Sequence, residues 1–152
     1  MASQNATVTL QEVTKKNLDK ILNLKVTPEQ EKFVADNAVS IAQAYFYPEI
    51  AWFRAIYADE TPVGFVMLES DRVNSSYSLW RLTIDARFQR QGFGRRAIEL
   101  IFEYVKILPE AKVLWTSCVP GNGSPKKFYE KMGFTDTGNL DEDEEIIMEY
   151  KF

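Results

Sequence analysis

Histidine is missing altogether from the 152 residues, and cysteine occurs once, as Cys118. Without histidine there is no Ser-His-Asp triad, no imidazole base and no histidine metal cluster. A lone thiol makes neither a zinc ribbon nor an intramolecular disulfide. Catalysis must therefore draw on carboxylates, Tyr, Ser/Thr, Lys or backbone groups, and no metal site is expected. Glycine and proline are sparse, seven and six, which excludes collagen-like and disordered compositions. No segment approaches the roughly 18 apolar residues of a membrane helix, and the first ten residues lack the basic and apolar regions of a signal peptide. Positive charge is in the minority, 18 Lys+Arg against 22 Asp+Glu for a net −4. That balance argues against a nucleic-acid or anionic-membrane partner and favours a cationic one. The expectation is a cytoplasmic protein in which Cys118 stays reduced.

What is present is an ordinary globular composition, 45% hydrophobic and 13% aromatic. At roughly 150 residues per domain, residues 1–152 are expected to form a single domain. Val8 to about Val13 reads as a strand, and Leu18, Ile21 and Leu22 follow helical spacing. Thr27-Pro28-Glu29-Gln30 carries a capping-box signature and predicts a helix with Ala38, Ile41, Ala42 and Tyr45 on its apolar face, ended by Pro48. Trp52–Tyr57 and Val63–Leu68 read as a hairpin, and Ser76–Ile84 as a third strand with Trp80, Leu82 and Ile84 on one side. Helical spacing then resumes from Phe93 through Val105, followed by a strand-like run over Val113–Val119. Ser124, Pro125 and Gly133 bound a short helix, and Ile146–Phe152 closes the chain as a strand. The acidic run 141–145 reads as a solvated turn, with attraction of a cationic substrate as the alternative. The fold class is α/β with a mixed sheet: an antiparallel meander, a β-α-β crossover unit, and a C-terminal helix and strand.

The most informative segment is Ile84 to Arg96, where Gly92 and Gly94 lie between a strand and a helix. Arg87, Arg90, Arg95 and Arg96, four of the chain's seven arginines, crowd into it, with Arg81 just before. Glycines let a backbone approach a ligand closely, and the unpaired N–H groups of a helix start form an anion site suited to a pyrophosphate. Neither G-x-G-x-x-G after a first strand nor G-x-x-x-x-G-K-[ST] is found, so neither NAD nor ATP is favoured. The glycines equally permit tight helix–sheet packing, with the arginines as a solvated face.

Gln89-Arg90-Gln91-Gly92-Phe93-Gly94 resembles the Q/R-x-x-G-x-G/A signature of the GCN5-related N-acetyltransferase (GNAT) superfamily. Asn122 to Phe134 is similar to that family's N-x-x-[AS]-x-x-[FL]-Y-x-x-x-G-F arrangement, departing where Pro125 takes the small-residue slot and Ser124 stands one place earlier. Segments 31–35, 42–45 and 63–69 resemble bacterial spermine/spermidine and diamine acetyltransferases. The resemblance implies a GNAT fold, acetyl-CoA (coenzyme A) as cofactor, and a polyamine acceptor. It implies that the amides from Gln89 through Arg90, Gln91, Gly92, Phe93 and Gly94 to Arg95 hold the diphosphate, and that Leu82, Thr83 and Ile84 pair with the pantetheine arm. Asn122 and Ser124 become cofactor contacts as well as capping residues, and Tyr129 stands near the sulfur. Glu31, Asp36 and Glu49 fall in the region that covers the acceptor.

An amine near pKa 10.4 arrives protonated, so a base is needed; Glu69 is the first choice, with Asp85 or a water chain as alternatives, and both carboxylates are also candidate substrate contacts. Full proton donation from a phenol near 10 to a thiolate near 8.5 runs uphill by roughly 2 kcal/mol. Tyr129 is therefore expected to donate a hydrogen bond, or to have its pKa lowered by a neighbour such as Lys126. Cys118 reads as buried filler, which favours direct transfer in a ternary complex. Other amines, aminoglycoside-like drugs or protein N-termini, remain alternative acceptors, and a noncatalytic acetyl-CoA sensor is the alternative of another class. Trp52 and Phe53 are candidates for either a homodimer contact or the core.

Overall fold

In a computed structural model of the chain, residue 3 and residues 5–152 are described. The period-two runs become strands and the period-3.6 runs helices: β1 (Val8–Gln11), α1 (Leu18–Leu22), α2 (Asn37–Tyr45), β2 (Ala51–Ala58), β3 (Thr61–Asp71), β4 (Ser76–Ile84), α3 (Phe93–Val105), β5 (Val113–Cys118), α4 (Lys126–Met132), β6 (Thr135–Leu140) and β7 (Ile146–Lys151). The strands form one sheet in the order β1-β2-β3-β4-β5-β7-β6. β1 to β4 are the antiparallel meander. β4 and β5 are parallel, with α3 as their crossover, and β7 lies antiparallel between β5 and β6.

Alternation along β3 divides the core between the two faces of the sheet. Val66 and Leu68 join the cluster under α3, with Ala97, Ile98, Ile101 and Val105. Phe65 and Met67 join Ile21 of α1, Leu24 just beyond it and Ala44 of α2. Burying a side chain such as Ile98 or Ile101 in full is worth about 1.5–3 kcal/mol, so α3 is held by its inner stripe. Trp52 stacks on Tyr104 at 4.5 Å between ring centroids and Phe53 on Phe65 at 5.7 Å, so both belong to the core packing of this chain.

Three local expectations change. The capping box at Thr27 nucleates only a 3-10 turn, Pro28–Gln30. α2 begins later, where Asp36 accepts the Val39 N–H at 2.9 Å. Its inward side is Asn37, Ser40 and Ala44, while Ala38, Ala42 and Tyr45 face solvent. A polar residue can turn inward because Asn37 donates to the Ile21 carbonyl at 2.9 Å and accepts from the Thr83 hydroxyl at 3.1 Å, so its buried amide is satisfied. β6 was not expected at all: Thr-Asp-Thr-Gly-Asn-Leu offers no apolar alternation because the strand is an exposed sheet edge.

The third change is a bulge in β4. Met67 pairs with Arg81 and Leu68 with Leu79, leaving Trp80 as an extra residue. Leu79, Leu82 and Ile84 pack toward α3, but Trp80 packs toward α1 and α2. Trp80 is therefore not on the side of Leu82 and Ile84.

Candidate active site

β4 pairs with β5 only from Tyr77↔Leu114 to Leu79↔Thr116. Beyond that rung the two strands diverge. A cavity of about 1180 Å³ opens in the fork, walled by Leu82, Thr83 and Ile84 on one side and Ser117, Cys118 and Val119 on the other. The backbone groups of β4 beyond Leu79 have no β5 partner and stand ready to pair with an extended ligand.

One end of the cavity is the start of α3, lined by Gln89, Arg90, Gly92, Phe93, Gly94 and Arg95. The chain reaches it through two left-handed residues, Arg90 at φ 62° and Gly92 at φ 82°. Such winding turns successive N–H groups inward as an anion-binding concavity, and the first helical N–H groups add the positive end of the dipole. The two glycines differ in purpose. At Gly92 an added β-carbon would meet nothing nearer than Arg95 at 3.9 Å, so the backbone angle demands glycine. At Gly94 it would sit 3.5 Å from Phe128 and 3.6 Å from Ile84, ordinary contact, so helix packing does not require the glycine. Its bare backbone leaves room on the cavity side, and this end therefore fits a diphosphate.

The arginines divide by task. Arg87 is pinned to Asp85 at 2.8 Å. Arg96 braces the turn from behind, donating to the Ala6 carbonyl at 2.6 Å and the Gly92 carbonyl at 3.4 Å. Arg90 and Arg95 line the cavity. Arg81 lies at the opposite end, donating to Gln43 at 2.9 Å. Burial pulls its pKa below the ordinary value, against the opposing pull of Glu145 and Glu69.

Tyr129 stands at the apex of the fork. It stands beside Thr116, the last β5 residue paired with β4, whose hydroxyl donates to the Leu79 carbonyl at 3.2 Å. Burial, with Cys118 adding to it, drives the phenol well above its usual range, and the Thr116 contact only partly opposes this. Lys126 does not lower it, because its ammonium is on Asp136 at 3.0 Å. The lowered-pKa alternative therefore falls. Cys118 is buried, its thiol pushed up chiefly by desolvation, with Met148 sulfur 3.9 Å away. Ser124 lines the cavity and accepts the Lys126 N–H at 3.3 Å, capping α4 with Pro125 at the N-cap position.

The far end is acidic. Glu69, Asp141, Asp143 and Glu145 gather there about Arg81, while Glu31 lines the cavity from the segment between α1 and α2. Glu145 lies 3.4 Å from the Ser117 hydroxyl. Its carboxyl is pushed above the usual range by burial and by Asp141 and Asp143, against the pull of Ser117 and Arg81. The run 141–145 thus does more than turn the chain. A β6–β7 hairpin folds it over the fork, a placement that depended on the unforeseen strand β6.

Several expected site residues lie elsewhere. Asp85 is 5% exposed and fully engaged, accepting from the Lys25 N–H, the Arg87 N–H and the Arg87 side chain. Burial raises its pKa, but the Arg87 side chain and the two N–H bonds outweigh this and hold it below the ordinary carboxylate value. It is a structural peg, neither base nor substrate contact. Asp36 caps α2, Glu49 and Asn122 face solvent, and Gln91 turns its carbonyl toward Arg96; none of the four lines the cavity.

A seven-stranded mixed sheet whose parallel pair splays over a glycine turn with cationic side chains leaves room for an extended ligand with an anionic end. The sequence profile of the Acetyltransferase (GNAT) family matches residues 18–134, and the chain belongs to that family. Acetyl-CoA is the cofactor of this family, and the chain is an acetyltransferase. It is 26% identical over 150 residues to the spermine/spermidine N(1)-acetyltransferase of Bacillus subtilis, covering 93% of this chain and 96% of that protein. Its fold is similar to that of PaiA N-acetyltransferase from Thermoplasma acidophilum in complex with coenzyme A, with a TM-score of 0.70 and 15% identity over 96% of this chain and 99% of the other. An aminoglycoside acetyltransferase in complex with coenzyme A is similar at TM-score 0.76 and 16% identity, over 95% of each chain.

Proposed function

We propose that this protein transfers the acetyl group of acetyl-CoA to a primary amine of a small polyamine, such as spermidine, directly within a ternary complex. The observation that carries the reading is the polarity of the cavity, with Arg90 and Arg95 at one end and four carboxylates, Glu69, Asp141, Asp143 and Glu145, gathered toward the other. A polyamine is a row of ammonium groups, and the carboxylates that do not take part in transfer bind the ammoniums that do not react. The similarity to a protein named as a spermine/spermidine acetyltransferase supports the same acceptor class.

Acetyl-CoA, when bound, supplies an acyl group activated as a thioester. Gln89, Arg90, Gly92, Phe93, Gly94 and Arg95 would hold its diphosphate, and Leu82, Thr83 and Ile84 would offer the unpaired backbone of β4 to its arm. Glu69 accepts the proton that the incoming ammonium must lose before its nitrogen can attack. Tyr129 keeps its proton and presents it as a hydrogen bond at the fork, where negative charge develops on the leaving group. Cys118, buried and protonated, is unfit to carry an acyl group.

The test is thiol release in the presence of acetyl-CoA and a panel of spermidine, spermine, putrescine, lysine and aminoglycosides. Release dependent on the polyamines is expected. Release with another amine alone would replace the acceptor assignment, and cofactor binding without release under any amine would make the protein a sensor.

A further inference from the structure

The segment between α1 and α2 crosses the mouth of the cavity as a strap. Its root is fixed beside the phosphate turn: the Lys25 N–H donates to Asp85 at 2.9 Å, and the Ala86 N–H donates to the Lys25 carbonyl at 2.8 Å. Its two ends meet at an ion pair between Lys25 and Asp36, 3.9 Å apart. Halfway along, the carboxamides of Gln30 and Gln89 exchange hydrogen bonds of 3.2 and 2.7 Å. Both amides have their orientation dictated by backbone. The Thr27 N–H at 3.2 Å requires the oxygen of Gln30, and the Ile84 carbonyl at 2.9 Å requires the nitrogen of Gln89. On the far side of the cavity the ring of Phe33 stands 3.5 Å from where a β-carbon on Gly123 would be. Glu31, Phe33 and Ala35 line the cavity from the strap.

We infer that Gln30 is a positioning residue that couples the two ends of the cavity. Gln89 opens the turn proposed to wrap the diphosphate. Whatever orders that turn orders the Gln89 carboxamide, which fixes Gln30 and with it the cavity-lining strap that runs on through Glu31 and Phe33. The coupling is reciprocal, since amine bound against the strap must steady the turn by the same factor, and couplings of this kind are about five- to 150-fold. Phe33 against Gly123 holds the strap's other flank, so the Gln30–Gln89 pair is the contact that reports cofactor occupancy. The inference rests on the proposed function but reaches beyond it.

The experiment compares wild type with Gln30→Leu. Calorimetry gives spermidine affinity with and without saturating coenzyme A, and trypsin cleavage after the exposed Lys32 reports on the strap without reference to turnover. In wild type, coenzyme A is expected to tighten spermidine about tenfold and to slow cleavage at Lys32. In Gln30→Leu both effects vanish and the amine KM rises about tenfold, with kcat and coenzyme A affinity within about threefold of wild type. The double variant Gln30→Glu with Gln89→Arg rebuilds a two-point contact and restores the coupling, which a generally weakened fold would not do. Wild-type coupling that survives in Gln30→Leu, or a double variant that stays uncoupled, overturns the inference and leaves the acetyltransferase reading standing. A wild type that binds no coenzyme A overturns both.

Discussion

Gly64 is a position where a single methyl group separates the sheet from the site. It pairs with Ile84 across β3 and β4, and a β-carbon there would stand 2.8 Å from Ile84 Cδ1 and closer still to the Thr83 carbonyl oxygen. Non-bonded carbons settle at about 3.5–4.0 Å, so in Gly64→Ala the last rungs of β4 must retreat by about 1 Å. Ile84 Cδ1 can rotate away, but the Thr83 oxygen is backbone and cannot. Overpacking of this kind costs about 1–3 kcal/mol, and stretching one ladder bond adds about 1. A loss of about 2–4 kcal/mol lowers Tm by roughly 4–16 °C for a chain of this length. Because Thr83 and Ile84 wall the cavity, coenzyme A affinity should fall with Tm, by about tenfold. Differential scanning calorimetry and a coenzyme A titration on the same sample check both numbers. A Tm within about 2 °C of wild type with unchanged affinity would mean that β4 is not held against β3 as described, and the account of the cavity wall would fail.

Tyr129→Phe should lower kcat about tenfold or more with coenzyme A affinity nearly unchanged, read from steady-state kinetics and calorimetry; equal kcat would remove Tyr129 from the chemistry. Glu69→Gln should lower kcat/KM for the amine and leave coenzyme A binding intact; if Glu145→Gln is the more damaging of the two, the base has been misassigned. The pKa of Asp85 is depressed in the folded state, so its contribution to stability is present above the unfolded value of about 3.9 and is lost as pH falls through the folded one. Urea midpoints of wild type and Asp85→Asn should therefore differ most near neutral pH and converge toward pH 3. Cys118, buried with a raised pKa, should react with iodoacetamide only when the protein is unfolded, as mass spectrometry would show.

Most of the architecture was legible because its elements carry strong periodic signals. The meander, the crossover helix and the α4 helix bounded by Gly133 lie within three residues of where the pattern put them. The phosphate turn was legible for a different reason: a left-handed backbone leaves a glycine in the sequence, and Gly92 is such a residue. What could not be read depends on tertiary partners. Asn37 and Ser40 replace an apolar stripe on α2, and only the positions of Ile21 and Thr83 make Asn37 acceptable in the core. Arg87, Arg96 and Arg81 look like phosphate ligands beside Arg90 and Arg95 until Asp85, Ala6 and Gln43 are seen holding them. Asp85 read as a candidate base for the same reason, since a sequence shows a carboxylate but not the N–H groups that consume it. The acidic run at 141–145 was weighed mainly as a turn, because nothing local says that a polar edge strand will swing it over the cavity.

The extra residue at Trp80 shifts the phase of β4. Ahead of it the odd-numbered side chains Tyr77 and Leu79 face α3; behind it the even-numbered Leu82 and Ile84 do. Removing Trp80 itself would restore an unbroken ladder with β3 and leave Thr83 facing Asn37 and the two aliphatics in their cluster, because residues paired across the ladder share a face; what would be lost is the indole packed toward α1 and α2. The imperfection in the pairing thus adds one large side chain to the α2 side of the sheet without disturbing the rungs on either side, so loss of Trp80 should be tolerated better than loss of a paired residue such as Leu82, which would put every later side chain of β4 on the wrong face.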